Sequence, residues 1–433
     1  MDLINKNIKI ENDELIFAGM SVKKLVSEFS SPLYIMDEDY IREKCRIYKK
    51  AIEDGFSGNG KILYASKALS FKYIYKIMEE ENMGVDVVSI GEMYTAKSAG
   101  FDLQNAYFHS SNKTDEDIEY AIKNNIGYFV IDNFEELDVI DEVAKTNNIK
   151  QKVLIRITPG IDPHTYEKVA TGKVDSKFGF SIETGLADEI VKKVLEKKNI
   201  ILKGFHCHVG SQVFDSEVFI DSANVMIDFI KYVKDKYGYL AEELNLGGGY
   251  GVRYVESDKD IDIYENILVL SKYIKEKCES VNINIPTIIF EPGRSIVADS
   301  SITAYTVGNV KKIPGYKNYV SIDGGMGDNI RFALYGSRYT ILPIEKFDRK
   351  FDMKCDIVGR YCESGDEIQK DVMLPSDMKR GDIIVCLTTG AYQYSMASNY
   401  NRVARPMIIM IKNKKAEVVV RREELEDLIK LDV

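Results

Sequence analysis

The strongest constraint in this sequence is an alternation. Eight short apolar runs recur along it: KILYASKA (61–68), GVDVVS (84–89), NAYFHSS (105–111), GYFVID (127–132), KVLIRITPG (152–160), ILKGFHCHVGS (201–211), ELNLGGG (243–249) and TIIFEPGR (287–294). Amphipathic stretches with a helical period separate them, such as FKYIYKIMEEENM, TDEDIEYAIKNNI, FEELDVIDEVAKTNN, LADEIVKKVLEKKN and EVFIDSANVMIDFIKYVKDKYG. Short buried strands, each followed by a helix and repeated eight times, predict a (β/α)8 barrel. A doubly wound open sheet is the competing arrangement. DEDYIREKCRIYKKAIEDG precedes the first run and reads as a helix starting near Asp37, so the barrel begins on a helix.

From about Ser295 the pattern changes to strands joined by turns: ITAYTVGNVKKI, KNYVSIDGG, MKCDIVGRYC, GDIIVCLTTGAY and PMIIMIKNKKAEVVVR. That is a β-domain. IKIENDELIFAG near the N-terminus reads as strands around an Asn-Asp turn that join it, and RREELEDLIKL as a short amphipathic helix. The expected division is residues 1–35 as N-terminal strands of the β-domain, 36–294 as the barrel and 295–433 as the β-domain proper. A chain of 433 residues is long enough for two cores.

Charge and cysteine usage narrow the partners. The net charge of −10 gives no reason to seek nucleic acid or an anionic membrane, while leaving local cations free to bind a small anion. The six cysteines are scattered without CxxC spacing, as expected of reduced thiols in a cytoplasmic protein. The first residues carry charges throughout, unlike a signal peptide, and no apolar run approaches the ~20 residues of a membrane span. A soluble protein is expected.

Barrel catalytic groups cluster at the carboxyl ends of the strands. Those ends carry Lys67, Asp86 and Ser89, His109 and Lys113, Asp132, Arg156, His206 and His208 with Ser211, Gly247–Gly249, and Glu291 with Arg294. A structural barrel has no need to end nearly every strand this way. Lys67 is placed to reach into the mouth, where partial desolvation lets a lysine form a Schiff base with an aldehyde cofactor; a solvated lysine is the plain alternative. The glycine run lets backbone N–H groups close around a phosphate, or makes a tight turn. It is neither a Walker sequence nor GxGxxG after a first strand. His206 and His208 share a strand face, which suits a metal pair lacking an evident third ligand equally with an imidazole stacked on an aromatic cofactor, Ser211 bonding its phosphate. Glu291-Pro292-Gly293-Arg294 sets a carboxylate able to keep a pyridine nitrogen protonated beside a guanidinium able to grip a carboxylate; an ordinary turn with an ion pair is the alternative. In the β-domain, Cys362-Glu363-Ser364-Gly365-Asp366 puts a thiol among carboxylates; an incidental buried cysteine is the plain alternative. Asp323-Gly324-Gly325-Met326, Arg331 with Tyr335, and Gly390-Ala391-Tyr392 are polar glycine-rich loops whose job the pattern does not name.

Between about Pro32 and Arg405 the chain resembles the diaminopimelate decarboxylases, of the barrel-type, alanine-racemase-like pyridoxal-phosphate enzymes. The resemblance lies in YASKA, GVDVVSIGE, HSSNK, TGKVDSKFGF, GFHCHVGSQ, LNLGGGYG, EPGRSIV, DGGMGDNIRFALYG, CESGD and GAYQYSMASNYN. It implies pyridoxal 5'-phosphate as cofactor and no metal. Lys67 is then similar to the Schiff-base lysine, and His208 to the residue stacked on the pyridine face. Asp86, Ser211, Gly248, Gly249, Glu291, Gly293, Arg294 and Tyr392 resemble cofactor contacts, Glu291 meeting the pyridine nitrogen. Arg294, Arg331, Tyr335, Glu363 and Tyr392 resemble substrate contacts, with Glu363 at the distal amine, and Cys362 resembles the proton donor. The resemblance also implies a homodimer in which the Cys-Glu segment enters the neighbouring subunit's site, and the conversion of meso-diaminopimelate to L-lysine and carbon dioxide. Gln393, in place of a frequent glycine, and Asn401–Pro406 depart from the family's pattern. Rival readings are a decarboxylase of ornithine, arginine or a carboxy-polyamine, which has little use for arginines gripping a second carboxylate. A racemase needs two opposed bases and no such thiol. A non-catalytic homologue has no need to keep Lys67 and Cys362.

Overall fold

The computed structural model describes residues 3–161 and 176–433, so Thr171–Asp175 of the TGKVDSKFGF motif lies outside the described residues. The chain forms two compact units, one of residues 44–251 and 260–295, the other of residues 1–43, 252–259 and 296–433.

The first unit is a closed barrel. Parallel strands Gly60–Ala65, Gly84–Val87, Ala106–Phe108, Tyr128–Ile131, Gln151–Thr158, Ile200–His206, Glu243–Asn245 and Thr287–Phe290 pair in that order. Thr287–Phe290 then pairs back onto Gly60–Ala65, so the sheet has no free edge and the open-sheet alternative falls. The strands are buried along most of their length, as the apolar runs require. Several helices between them start on polar caps: Thr114 with Asp117 in a capping box, Asn133, Asp215 and Asp262. At the amino-terminal end of the barrel, Lys61 Nζ lies 2.6 Å from Glu243 Oε1, and the stacked Tyr107 and Tyr128 hydroxyls donate to the same carboxylate. That buried acid is fully engaged there, leaving the opposite mouth for chemistry.

In the second unit the thirteen-residue strand Ser301–Ile313 is the spine. Its first half pairs with Leu33–Asp37 and with Ile383–Leu387; its second half pairs with Lys317–Ile322, and the register shifts around Gly308. The N-terminal strands Ile8–Glu11, Glu14–Phe17 and Met20–Ser21 belong to this unit, as expected, but as a small sheet of their own. Ile8, Leu15 and Phe17 pack into one core with Ile35, Ile302, Leu342, Val385 and Ile409. Glu367–Leu374 and Ile341–Pro343 are strands that the apolar runs did not reveal. The former carries Glu367, Lys370 and Asp371 and pairs through two register shifts, so its alternation is broken. The latter is three residues ending in proline.

Candidate active site

The candidate groups of the barrel are organised around Glu291. Its carboxylate is buried just past the last strand. Asn245 Nδ2 donates to Oε1 at 2.7 Å, His109 Nε2 stands 2.8 Å from the same oxygen, and His206 Nε2 lies 3.1 Å from Oε2. Burial alone would push Glu291 up, but the two imidazoles and their hydrogen bonds outweigh it and hold the carboxyl well below its usual range. Burial drives His206 down to about 4 despite the neighbouring carboxylate. Glu291 is thus a buried anion at the carboxyl end of the last barrel strand.

Asn245 also accepts the Gly247 N–H, at 2.9 Å, so one side chain ties the glycine run to the carboxylate. The glycines are required by close approach: a Cβ on Gly248 would sit 2.1 Å from the Glu291 carbonyl oxygen, and one on Gly249, at φ 119°, 2.4 Å from that of Gly210. Ser211 Oγ accepts from Arg294 Nη2 at 3.0 Å. Gly293 lies against Ala65 and Ala68, and the Ala65 N–H donates to the Pro292 carbonyl, which fixes this turn beside the turn that carries Lys67.

The two histidines of the His-Cys-His segment part company. His206 turns to Glu291. His208 is half-buried; burial, with Lys67 and Arg156 nearby, holds its imidazole well below the usual value, which leaves a neutral flat ring. Among the described residues, His109, His206 and Glu291 form the group with metal-like spacing, their ligand atoms within 4.8 Å of one another. His208 is not part of it, so the two histidines of that segment do not make a metal pair. Buried Asp86 is pushed up by desolvation and by Glu291, against His109 and Lys67, and its Oδ1 has no hydrogen-bond partner. Lys67 sits in the turn Ser66–Ala68, between two buried residues. The expected partial desolvation is not supplied by the chain itself: Lys67 is exposed, although Asp86, Glu92 and His208 feel its charge. Lys113 is a structural residue, wholly buried, with its ammonium on Glu136 and the Val130 carbonyl.

The second unit carries the other candidates. Arg331 opens the helix Arg331–Tyr335, and its guanidinium carbon lies 5.2 Å from the ring centres of both Tyr335 and Tyr392. Its Nε is buried without a hydrogen-bond partner. Tyr392 is held at φ 61°, a left-handed conformation that costs a tyrosine about 1–3 kcal/mol. The next residue, Gln393, is buried and donates from Nε2 to the Tyr339 hydroxyl at 2.7 Å. Cys362 and Glu363 are exposed on a loop tip, where the Gly365 N–H and the Ser364 hydroxyl pull Glu363 down.

Sequence reasoning missed Asn245 altogether and gave His109 and His206 no part in holding Glu291. A signal existed: Asn245 stands two residues before the glycine run, and His206 alternates with Phe205 on a strand whose inward face meets the mouth.

A barrel mouth that gathers a lysine, a clamped anionic carboxylate, a neutral imidazole and a glycine loop defines a pyridoxal-phosphate enzyme of the barrel type. Residues 38–298 match the family described as "Pyridoxal-dependent decarboxylase, pyridoxal binding domain". The chain is 45% identical over 420 residues to the diaminopimelate decarboxylase of Staphylococcus aureus, covering 97% of each. It is 40% identical over 424 residues to that of Bacillus subtilis, covering 98% of this chain and 96% of the other. Its fold superimposes with a TM-score of 0.92 and 32% identity on the diaminopimelate decarboxylase of M. jannaschii in complex with L-lysine, covering 100% of this chain and 99% of that one. The chain belongs to the diaminopimelate decarboxylases, a family of pyridoxal-dependent decarboxylases. The cofactor is pyridoxal 5'-phosphate, and the buried anion of Glu291 and the unsatisfied Asp86 fit its ring.

Proposed function

We propose that this chain decarboxylates meso-2,6-diaminopimelate to L-lysine and carbon dioxide, the last step of lysine biosynthesis. The observation that carries the reading is the 45% identity to a diaminopimelate decarboxylase over 97% of both chains. The complex of the M. jannaschii relative with L-lysine agrees with it.

When bound, the cofactor supplies an aldehyde that joins the substrate amine and a ring that takes up the electron pair left by departing carbon dioxide. The chain's residues supply the rest. Lys67 Nζ is the attachment point. Glu291, kept anionic by His109, His206 and Asn245, holds a proton on the ring nitrogen. His208 would present a flat neutral face to the ring, and Asp86, Gly248, Gly249, Ser211, Gly293, Arg294 and Tyr392 would hold the cofactor and its phosphate. Arg294 and Arg331, with Tyr335 and Tyr392, grip the carboxylate of the distal amino-acid end, and Glu363 takes its ammonium. Cys362 Sγ delivers the proton to the carbon that lost its carboxylate. Exposed Cys362 and Glu363 suit a homodimer in which this segment completes a second copy's site. We read residues 1–35 and 295–433 as completing the site built on 36–294. No helix is long and apolar enough to cross a membrane among the described residues, which is compatible with the cytoplasmic, nucleic-acid-independent enzyme proposed.

Two assays test this. Purified protein with cofactor is incubated with a panel of amino acids while carbon dioxide and amine products are followed. meso-Diaminopimelate should turn over, and L-lysine and L-ornithine hardly. Preference for L-ornithine, L-arginine or a carboxy-polyamine refutes the substrate. Borohydride reduction should fix the cofactor to Lys67, and a label elsewhere refutes that role.

A further inference from the structure

Two sequence features have no job in the account so far: the glycine loop Asp323–Asp328 and the acid that ends Cys362–Asp366. They interlock. The Asp366 side chain is buried and accepts two backbone hydrogen bonds, from the Met326 N–H to Oδ1 at 2.7 Å and from the Tyr361 N–H to Oδ2 at 2.8 Å. Its carbonyl accepts the Gly359 N–H, and the Arg360 N–H donates to Gly324. The glycines clear the space. A Cβ on Gly325 would stand 2.5 Å from Asp366 Oδ1, one on Gly359 2.3 Å from Oδ2, and one on Gly327 2.0 Å from the Tyr361 hydroxyl.

Between buried Tyr361 and buried Asp366 project four exposed residues, Cys362 to Gly365. A second pin holds the start of this tip: the Cys362 N–H donates to Asn401 Oδ1 at 2.8 Å, from a left-handed residue at φ 50°. An exposed loop of this length, joined only at its ends, is ordinarily mobile. Here each end is fastened to the glycine loop or to Asn401.

We propose that Asp366 is a positioning residue for Cys362 and Glu363: it bolts the tip to the glycine loop so that thiol and carboxylate are presented in a fixed geometry before anything meets them. The proposal rests on the reading of Cys362 as proton donor. It also gives the glycine loop its function, which is to let the bolt close. Asp366→Asn keeps the size of the side chain but turns an amide NH2 toward one of the two N–H donors, so one bond is lost and two donors face each other.

The test uses the full-length holoenzyme and compares Asp366→Asn and Asn401→Gly with Cys362→Ala. Glycine at 401 removes the acceptor and keeps the left-handed backbone. Three readouts are taken: kcat and KM; the share of turnovers that leave the cofactor in its amine form; and the alkylation rate of Cys362 by iodoacetamide against pH, read by peptide mass because the other five cysteines are buried. The amine form arises when the proton reaches the cofactor carbon instead of the substrate carbon, after which water cleaves the C=N bond and releases a carbonyl product. For Asp366→Asn, kcat should fall about tenfold or more with KM within about threefold. The amine-form share should rise, and Cys362 alkylation should change by about threefold or more, with cofactor affinity unchanged. Asn401→Gly should move each readout the same way, by less. Wild-type kcat, partition and alkylation in both variants overturn the proposal. So does a loss of cofactor affinity or fold without a change in partition or alkylation, the mark of a merely structural residue. If Cys362→Ala leaves the partition at wild type, the proton-donor reading fails instead, and the alkylation rates still decide whether Asp366 positions the thiol.

Discussion

The barrel and the β-unit hold their candidate groups in different ways. In the barrel the key group is buried and its charge is settled by the chain alone: Glu291 is an anion before any cofactor arrives, because His109, His206 and Asn245 surround it. In the β-unit, Arg331 is likewise buried between two aromatic rings, but Cys362 and Glu363 stand in water. The contrast matches what each group meets in the proposed reading. A cofactor that stays can be met by a rigid, desolvated pocket, where electrostatic preorganisation is strongest. In the proposed reading Cys362 and Glu363 act on a substrate that comes and goes, and such groups can wait on an exposed tip, provided its shape is fixed.

The sharpest way to break this comparison is to disable one half at a time. Lys67→Ala should lower kcat by about a thousandfold or more, within the range lost with a general acid-base or attachment group, and abolish borohydride labelling. Cys362→Ala should lower it less. Mixing the two inactive chains should restore up to about a quarter of wild-type activity, since random assembly leaves one intact composite site in half of the dimers. No recovery after verified subunit exchange would show that each site is built within one chain. Next in size, Glu291→Gln removes the anion while keeping its shape and should cost about a hundredfold in kcat/KM, with weaker cofactor retention on dialysis. An unchanged visible spectrum and full activity would mean that the clamp serves only the fold.

Arg331→Ala tests the β-unit. A charge-assisted hydrogen bond is worth roughly 1.5–3 kcal/mol, so kcat/KM for meso-diaminopimelate should fall about 10- to 100-fold. The poor activity on substrates without the distal carboxylate should stay nearly constant. An equal loss on both would remove Arg331 from carboxylate recognition.

The smallest effect is on stability. His206 is held at about 4, below its unfolded value of about 6.5, so between these limits the unfolded chain binds the extra proton. Stability should therefore be full above pH 6.5 and decline as pH falls toward 4. Glu291 acts in the same direction lower down: its depressed pKa adds stability above about 4.3, lost as pH falls through the folded value. Thermal melts from pH 7 to 4 should show Tm falling by several degrees, and His206→Asn should flatten the upper part of that fall. A melt insensitive to pH across this window would contradict the buried neutral imidazole.

Much of this was legible in one dimension. The eight apolar runs are the eight barrel strands, because a strand buried on both faces has no polar alternation to hide it. Lys67, His208, Glu291 and the glycine run were visible because each follows such a strand. Glu367–Leu374 was not visible, since a strand with Lys370 and Asp371 exposed and two register shifts keeps no period. Asn245 was hidden because it stands between two leucines of an apolar run, and its two bonds run to Gly247 and to a residue 46 positions away.

What the sequence determined by itself is the order of strands and helices, and the kinds of groups that end the strands. Those depend on period and on chain neighbours. What only the tertiary structure decided is which groups answer one another. His206 belongs to Glu291 rather than to His208, and Asp366 belongs to a glycine loop forty residues earlier. The short segment 252–259 belongs to the β-unit rather than the barrel around it. Hydrogen bonds and excluded volume act over a few ångströms of space whatever the separation along the chain, and the sequence records only the second distance.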